Sequence, residues 1–204
     1  MVAGTDTDVG KTVFAAGLVQ ALGASYWKPV QAGLEDGTDT RTVQELARLP
    51  DEKIVPEVYR LNSPLSPHRA AEIAGVFIDP DRLNPPEVDG PLIVEAAGGL
   101  LVPLTRDVVY ADVIARWALP VVLVGRTALG AINHALLSVE ALRSRGIPIV
   151  GIAFVGDEIA DTQKTIAQMA GVRELGRLPM LDPLNAATLK TAFDEAFSLD
   201  DFHL

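Results

Sequence analysis

The sequence predicts an α/β fold: a doubly wound, mainly parallel sheet with helices on both faces. Short apolar runs bounded by Gly or Pro recur at 91–94, 120–124 and 148–154, rich in β-branched residues and lacking the polar alternation of a half-exposed strand. Helical patterns fall between and beyond these runs, and strand alternating with helix is how parallel sheets are built. The 204 residues include 49% hydrophobic and 22% charged side chains, with no Gly/Ser linker, low-complexity tract or internal repeat. One sizeable core accounts for that much apolar surface, so residues 1–204 are expected to form a single domain.

Taken in order, Met1-Val2-Ala3 reads as a first strand that runs into a glycine-bounded loop and a helix over 13–22. Residues 25–28 form a second strand. The stretch 36–86 has scattered prolines, with helices at 40–49 and near 68–74, and is expected to be an insertion near the site. The run at 91–94 is the next strand, followed by a helix over 110–118, a strand at 120–124 and a helix over 131–145 that stops at Gly146 ahead of Pro148. A strand at 148–154 and a helix over 159–170 continue the alternation. Ligands of such sheets bind beyond the carboxyl ends of the strands, which directs attention to the residues after each run.

Acidic residues outnumber basic ones 27 to 17 and no Lys/Arg-rich stripe occurs, which argues against a nucleic-acid partner. An anionic ligand has to be held by local groups. Without cysteine there is neither disulfide nor thiolate chemistry. The longest apolar stretch, 118–124, contains Pro120 and falls far short of the roughly 20 residues that span a bilayer. No secretory pattern precedes Val2-Ala3-Gly4-Thr5, so a cytoplasmic protein without a membrane segment is expected.

The strongest local signal is Gly4-Thr5-Asp6-Thr7-Asp8-Val9-Gly10-Lys11-Thr12, set between strand and helix. Loop N–H groups and the helix N-terminus can wrap a polyphosphate, Lys11 can reach its β and γ phosphates, and the Thr12 hydroxyl can ligate Mg²⁺. The spacing is one residue longer than G-x-x-x-x-G-K-[ST], so the flanking elements identify it as a P-loop of the NTPase type. Lys28 ends the second strand beside this loop. Glu95 follows the 91–94 run, where a buried carboxylate is costly without a cation. Asp39 reads either as a further oxygen ligand or as the N-cap of the 40–49 helix. Because Mg²⁺ retains several waters, Thr12, Asp39 and Glu95 suffice as its protein ligands.

Five segments together resemble the dethiobiotin synthetase family: the phosphate loop, Lys28-Pro29-Val30-Gln31-Ala32-Gly33, Ser66-Pro67-His68, Glu95-Ala96-Ala97-Gly98-Gly99 and Gly130-Ala131-Ile132-Asn133-His134-Ala135. The likeness runs in order and at comparable spacing through Pro179. It implies a homodimer with shared active sites that uses ATP, Mg²⁺ and CO₂ to convert 7,8-diaminononanoate into dethiobiotin. A substrate amine captures CO₂ as a carbamate, ATP phosphorylates it, and the second amine closes the ureido ring with loss of phosphate. The resemblance also assigns roles by position. Lys11 and Lys28 are catalytic. The nucleotide is held by Asp8, Val9, Gly10, Lys11, Thr12, Val13, Glu95, Ala96, Ala97 and Gly98, and further along by Gly156, Asp157, Leu178, Pro179 and Met180. Thr7, Asp8, Lys28 and Ala32 face the substrate, whose carboxylate rests on the helix-opening turn Gly130, Ala131, Ile132 and Asn133 across the dimer interface. His68 and His134 stay outside the catalytic set.

Three positions depart from the family pattern: Ala96 stands where Gly is usual, Gly156 replaces a base-contacting Asn, and Ala32 replaces a hydroxyl residue. Two other readings compete. A cobyrinic-acid-type amidating ligase brings a glutaminase domain that usually carries a cysteine nucleophile, and this chain has no cysteine. A ParA/MinD-like switch ATPase carries an additional lysine near the start of the phosphate loop, where this chain has Thr5 and Asp6.

Overall fold

The computed structural model describes residues 1–35 and 37–202. In chain order the elements are β1 (Val2–Gly4), α1 (Lys11–Leu22), β2 (Ser25–Trp27), β3 (Val30–Ala32), α2 (Asp39–Ala47), β4 (Ile54–Val55), β5 (Tyr59–Leu61) and α3 (Pro67–Ala74). They continue as β6 (Leu92–Gly99), α4 (Tyr110–Trp117), β7 (Val121–Arg126), α5 (Ala131–Arg143), β8 (Ile149–Val155), α6 (Ala160–Ala170), β9 (Glu174–Leu178) and α7 (Ala186–Ala196). Seven strands form the main sheet in the order β4-β2-β6-β1-β7-β8-β9, every neighbouring pair parallel. A parallel central strand buried on both faces needs apolar side chains pointing both ways, and β7 supplies them with Val121 to Val124 all buried.

The two faces carry separate cores. On one, Phe14 of α1 packs against Phe193 and Phe197, with ring centroids 5.6 and 5.3 Å apart, and Val43 and Leu46 of α2 join them. On the other, Ile114 of α4, Leu142 of α5 and Ile166 of α6 cover Leu123 and Phe154. Each fully buried side chain of this size contributes about 1.5–3 kcal/mol, so α1 is held firmly beneath the loop it follows. Because β1 lies between β6 and β7, the carboxyl ends of all three strands meet at that loop.

Helix boundaries lie within two residues of those the periodicity predicts. The expected insertion is corrected in part. Ile54–Val55 is an edge strand of the main sheet, with Tyr26 opposite Ile54 and Trp27 opposite Val55, while β3 and β5 pair as a separate two-stranded parallel sheet. Strands of two or three residues are too short to show a period. Strand β9 and helix α7 were also not marked by the sequence pattern, since Gly176 and Arg177 interrupt the apolar run of β9. Among the described residues no helix is long and apolar enough to cross a membrane.

Candidate active site

Gly10 caps α1 with φ +90°, a left-handed conformation, and a Cβ there would lie 2.7 Å from a Val155 side-chain carbon. Only glycine meets both demands. Asp8 is also left-handed at φ 54°, and its carbonyl accepts from Arg126 Nε at 3.1 Å, which ties the loop to the end of β7. Lys11 is buried and its Nζ donates to the Asp6 carbonyl at 2.7 Å, spanning the loop from inside. Burial, then repulsion from Lys28, lowers the Lys11 pKa to about 8 against the pull of Glu95, Asp39 and Asp8.

Beside this loop lies a buried charge cluster. In the parallel pair β2–β6, Tyr26 sits opposite Ile93, and residues two apart share a face, so Tyr26, Lys28 and Glu95 project to the same side. Lys28 Nζ stands 2.8 Å from Asp39 Oδ2 and 3.0 Å from Glu95 Oε1. Thr12 Oγ1 donates at 2.9 Å to either Asp39 Oδ1 or Glu95 Oε1, and Tyr26 donates to Glu95 Oε2 at 2.8 Å. Glu95 is wholly buried. Burial alone lowers the Lys28 pKa, but Glu95 and Asp39 outweigh it and hold the ammonium above its ordinary range. For Asp39 burial pushes up, and the Lys28 charge and hydrogen bond win, keeping the carboxyl below its usual range.

The capping alternative for Asp39 is excluded by geometry. Thr38 caps α2, its Oγ1 accepting from Arg41 N at 3.2 Å, which leaves the Asp39 carboxylate free to turn toward Thr12 and Lys28. Among the described residues no three His, Cys, Asp or Glu side chains converge as a metal nest. Two carboxylates and one hydroxyl do converge, and a hard, oxygen-seeking ion that keeps water and phosphate as its other ligands fits such a set.

Two cavities border the phosphate loop. One, of about 470 Å³, is lined by Asp8, Val9, Gly10, Val13, Gly156, Asp157, Pro179 and Met180, together with Arg126, Ile159 and Leu184. Leu178 is buried behind this wall, and its carbonyl accepts from Gly156 N at 3.0 Å. The other, of about 740 Å³, is lined by Thr7, Asp8, Lys28, Ala32, Asp39, Ala97 and Gly98, among others. Asp8 therefore faces both. Ala97 and Gly98 line the Lys28 cavity, because β6 runs past Lys28. Ala96 is buried in the core, and its carbonyl accepts from Lys28 Nζ at 3.4 Å. Gly130 and Ala131 border a different, smaller recess with Thr5, Asp6 and His134, while Ile132 and Asn133 line neither cavity. Within one chain that turn is away from Lys28.

Three contributors escaped the sequence reading. Tyr26 belongs to no motif, and only its i, i+2 relation to Lys28 marks it in the sequence. Gln31 is buried, and its Oε1 accepts from Asp39 N at 3.1 Å, setting the start of α2. Arg126 grips the loop through a carbonyl, a contact without a sequence signature.

A family model for an AAA domain matches residues 1–188. The ATP-dependent dethiobiotin synthetase BioD of Rhodopseudomonas palustris (strain BisB18) is 60% identical over 202 residues, covering 99% of this chain and 97% of its own. The chain belongs to the ATP-dependent dethiobiotin synthetase family. The family's protein of the same name from Rhizorhabdus wittichii is 59% identical, again over 99% of this chain and 97% of its own. A ParA family ATPase from Chlorobium tepidum TLS superposes with a TM-score of 0.51 over 95% of this chain and 90% of that one, at 13% identity. That likeness speaks for a shared P-loop fold alone.

Proposed function

We propose that this chain is a dethiobiotin synthetase: from 7,8-diaminononanoate, CO₂ and ATP it makes dethiobiotin, ADP and phosphate. The observation that carries the reading, beyond kinship, is the buried Lys28–Asp39–Glu95–Thr12 cluster standing at a cavity that meets the nucleotide-sized cavity at Asp8. Phosphoryl transfer calls for positioned charge more than for a covalent catalyst, and the site concentrates charge there.

Each residue has a separable task. The loop amides and Lys11 receive the triphosphate, and the apolar walls of the smaller cavity take the base. In the larger cavity Asp8 meets an ammonium group of the diamine. The other nitrogen, as the free amine, attacks CO₂, forming the carbamate N–C bond and releasing a proton. Lys28 stays protonated at neutral pH, so it can shift from its carboxylates to the carbamate oxygens and bring one of them toward the γ-phosphorus. That oxygen forms the new O–P bond as ADP leaves. The second nitrogen, its ammonium proton passed to solvent, then attacks the carbamoyl carbon as a free amine; phosphate departs with the shared oxygen, and the ring nitrogen gives up a further proton. Thr12, Asp39 and Glu95 are the residues to hold Mg²⁺, which neutralises charge on the phosphates when bound.

The Gly130–Asn133 turn supports a two-chain site. It lies outside its own Lys28 cavity, yet it offers N–H groups at the start of α5 beside exposed Leu129 and Leu137, a surface suited to meet a second copy. On this reading the chain acts as a homodimer in which that turn binds the substrate carboxylate of the neighbouring site.

The test is direct. Protein incubated with the diamine, bicarbonate, ATP and Mg²⁺ should yield dethiobiotin by mass spectrometry with one phosphate per ring. Phosphate without dethiobiotin refutes the assignment.

A further inference from the structure

Tyr26 belongs to none of the motifs that mark the site, yet its phenol is fully buried against Glu95. The two oxygens of that carboxylate are divided between different partners. Oε2 accepts from Tyr26 at 2.8 Å, whereas Oε1 faces Thr12 at 2.9 Å and Lys28 at 3.0 Å. Tyr26 has little room to swing aside, because β2 is an internal strand between β4 and β6 and its ring is embedded in the core beneath α1.

We propose that Tyr26 is a positioning residue that confines Glu95 to ligation through a single oxygen and thereby makes the site choose Mg²⁺ over Ca²⁺. This rests on the reading of Thr12, Asp39 and Glu95 as metal ligands. Mg²⁺ demands near-octahedral geometry at about 2.0–2.1 Å, whereas Ca²⁺ takes about 6–8 ligands and readily uses both oxygens of a carboxylate. A phenol fixed on Oε2 withholds the second oxygen. It also fixes the direction of Oε1, and groups that orient metal ligands in this way commonly set metal affinity by about 10–100-fold.

The experiment reads metal binding rather than turnover. Mn²⁺ bound to the protein with a non-hydrolysable ATP analogue is followed by electron paramagnetic resonance and displaced by Mg²⁺ or Ca²⁺. Wild type, Tyr26→Phe and a variant with para-aminophenylalanine at position 26 are compared. In Tyr26→Phe, Mg²⁺ is expected to bind about tenfold more weakly while Ca²⁺ changes little, so that the ratio of Ca²⁺ to Mg²⁺ Kd falls at least about fivefold. The amino variant retains a donor and should restore the ratio, a rescue that loss of packing does not produce. A ratio within about twofold of wild type in Tyr26→Phe overturns the proposal whatever happens to its Tm, as does absence of Mn²⁺ binding in the wild type. A changed ratio in a protein that makes no dethiobiotin leaves the metal inference standing and refutes the synthetase reading instead.

Discussion

Replacing Lys28 by Met removes the cation that bridges Asp39 and Glu95 and keeps the aliphatic stem. In the unliganded site Glu95 is then wholly buried beside Asp39, and the Thr12 hydroxyl, with a single proton, serves only one of them at a time. Breaking a buried ion pair by removing one partner costs about 3–5 kcal/mol. The Asp39 side chain is 33% exposed, so water offsets part of this and the lower end, about 3 kcal/mol, is the better figure. For a chain of this length 1 kcal/mol moves Tm by about 2–4 °C, which places the loss at roughly 6–12 °C. Differential scanning calorimetry of Lys28→Met in EDTA tests this. A cation at Thr12, Asp39 and Glu95 substitutes for the missing ammonium, so excess Mg²⁺ with a non-hydrolysable nucleotide should cut the deficit by at least about half. A deficit below about 2 °C in EDTA, or one that Mg²⁺ and nucleotide leave unchanged, refutes the cluster as an electrostatic unit.

Further outcomes follow from the same geometry. Lys11, with its pKa lowered to about 8, binds fewer protons folded than unfolded between about 8 and its ordinary 10.5; burying it therefore costs stability at lower pH, and the cost fades as pH rises through that window. Triphosphate favours the charged form, so nucleotide Kd by calorimetry should be flat below about pH 8 and weaken above it, and Lys11→Met should abolish that slope. Lys11→Ala and Lys28→Ala should each lower kcat/KM by at least about 10²-fold, and mixed dimers of Lys11→Ala with a chain disrupted at Gly130–Asn133 should regain activity that neither homodimer has; inactive, well-formed mixed dimers contradict the shared site. ATP should lead GTP and CTP by less than about tenfold in kcat/KM, because Gly156 has no side chain, its N–H is engaged by Leu178 O and its carbonyl accepts from Arg177 at 2.8 Å; a preference above about a hundredfold shows that another group reads the base.

What the sequence made legible tracks the strength of each local signal. The phosphate loop could be read because glycine, lysine and threonine there have distinct duties, and the structure adds why Gly10 cannot change. Glu95 was legible as an anomaly, a carboxylate at the end of an apolar run. The Tyr26–Glu95 contact was not, since it depends on the register of two strands some seventy positions apart in the chain. Asp39 was ambiguous for a related reason: whether a residue before a helix caps it or faces away depends on a one-residue offset, and Thr38 took the cap. The short strands β3, β4 and β5 form where neighbouring elements offer an edge, which composition does not encode.

In the proposed reaction the γ-phosphoryl group goes to a carbamate in the Lys28 cavity rather than to water. A single turnover with C¹⁸O₂ in ordinary water decides it. Attack by a carbamate oxygen places one CO₂ oxygen in the released phosphate and leaves the other in the ureido carbonyl of dethiobiotin, so both products should carry label. Phosphate that is unlabelled while ATP is consumed identifies water as the acceptor and rules out the carbamate.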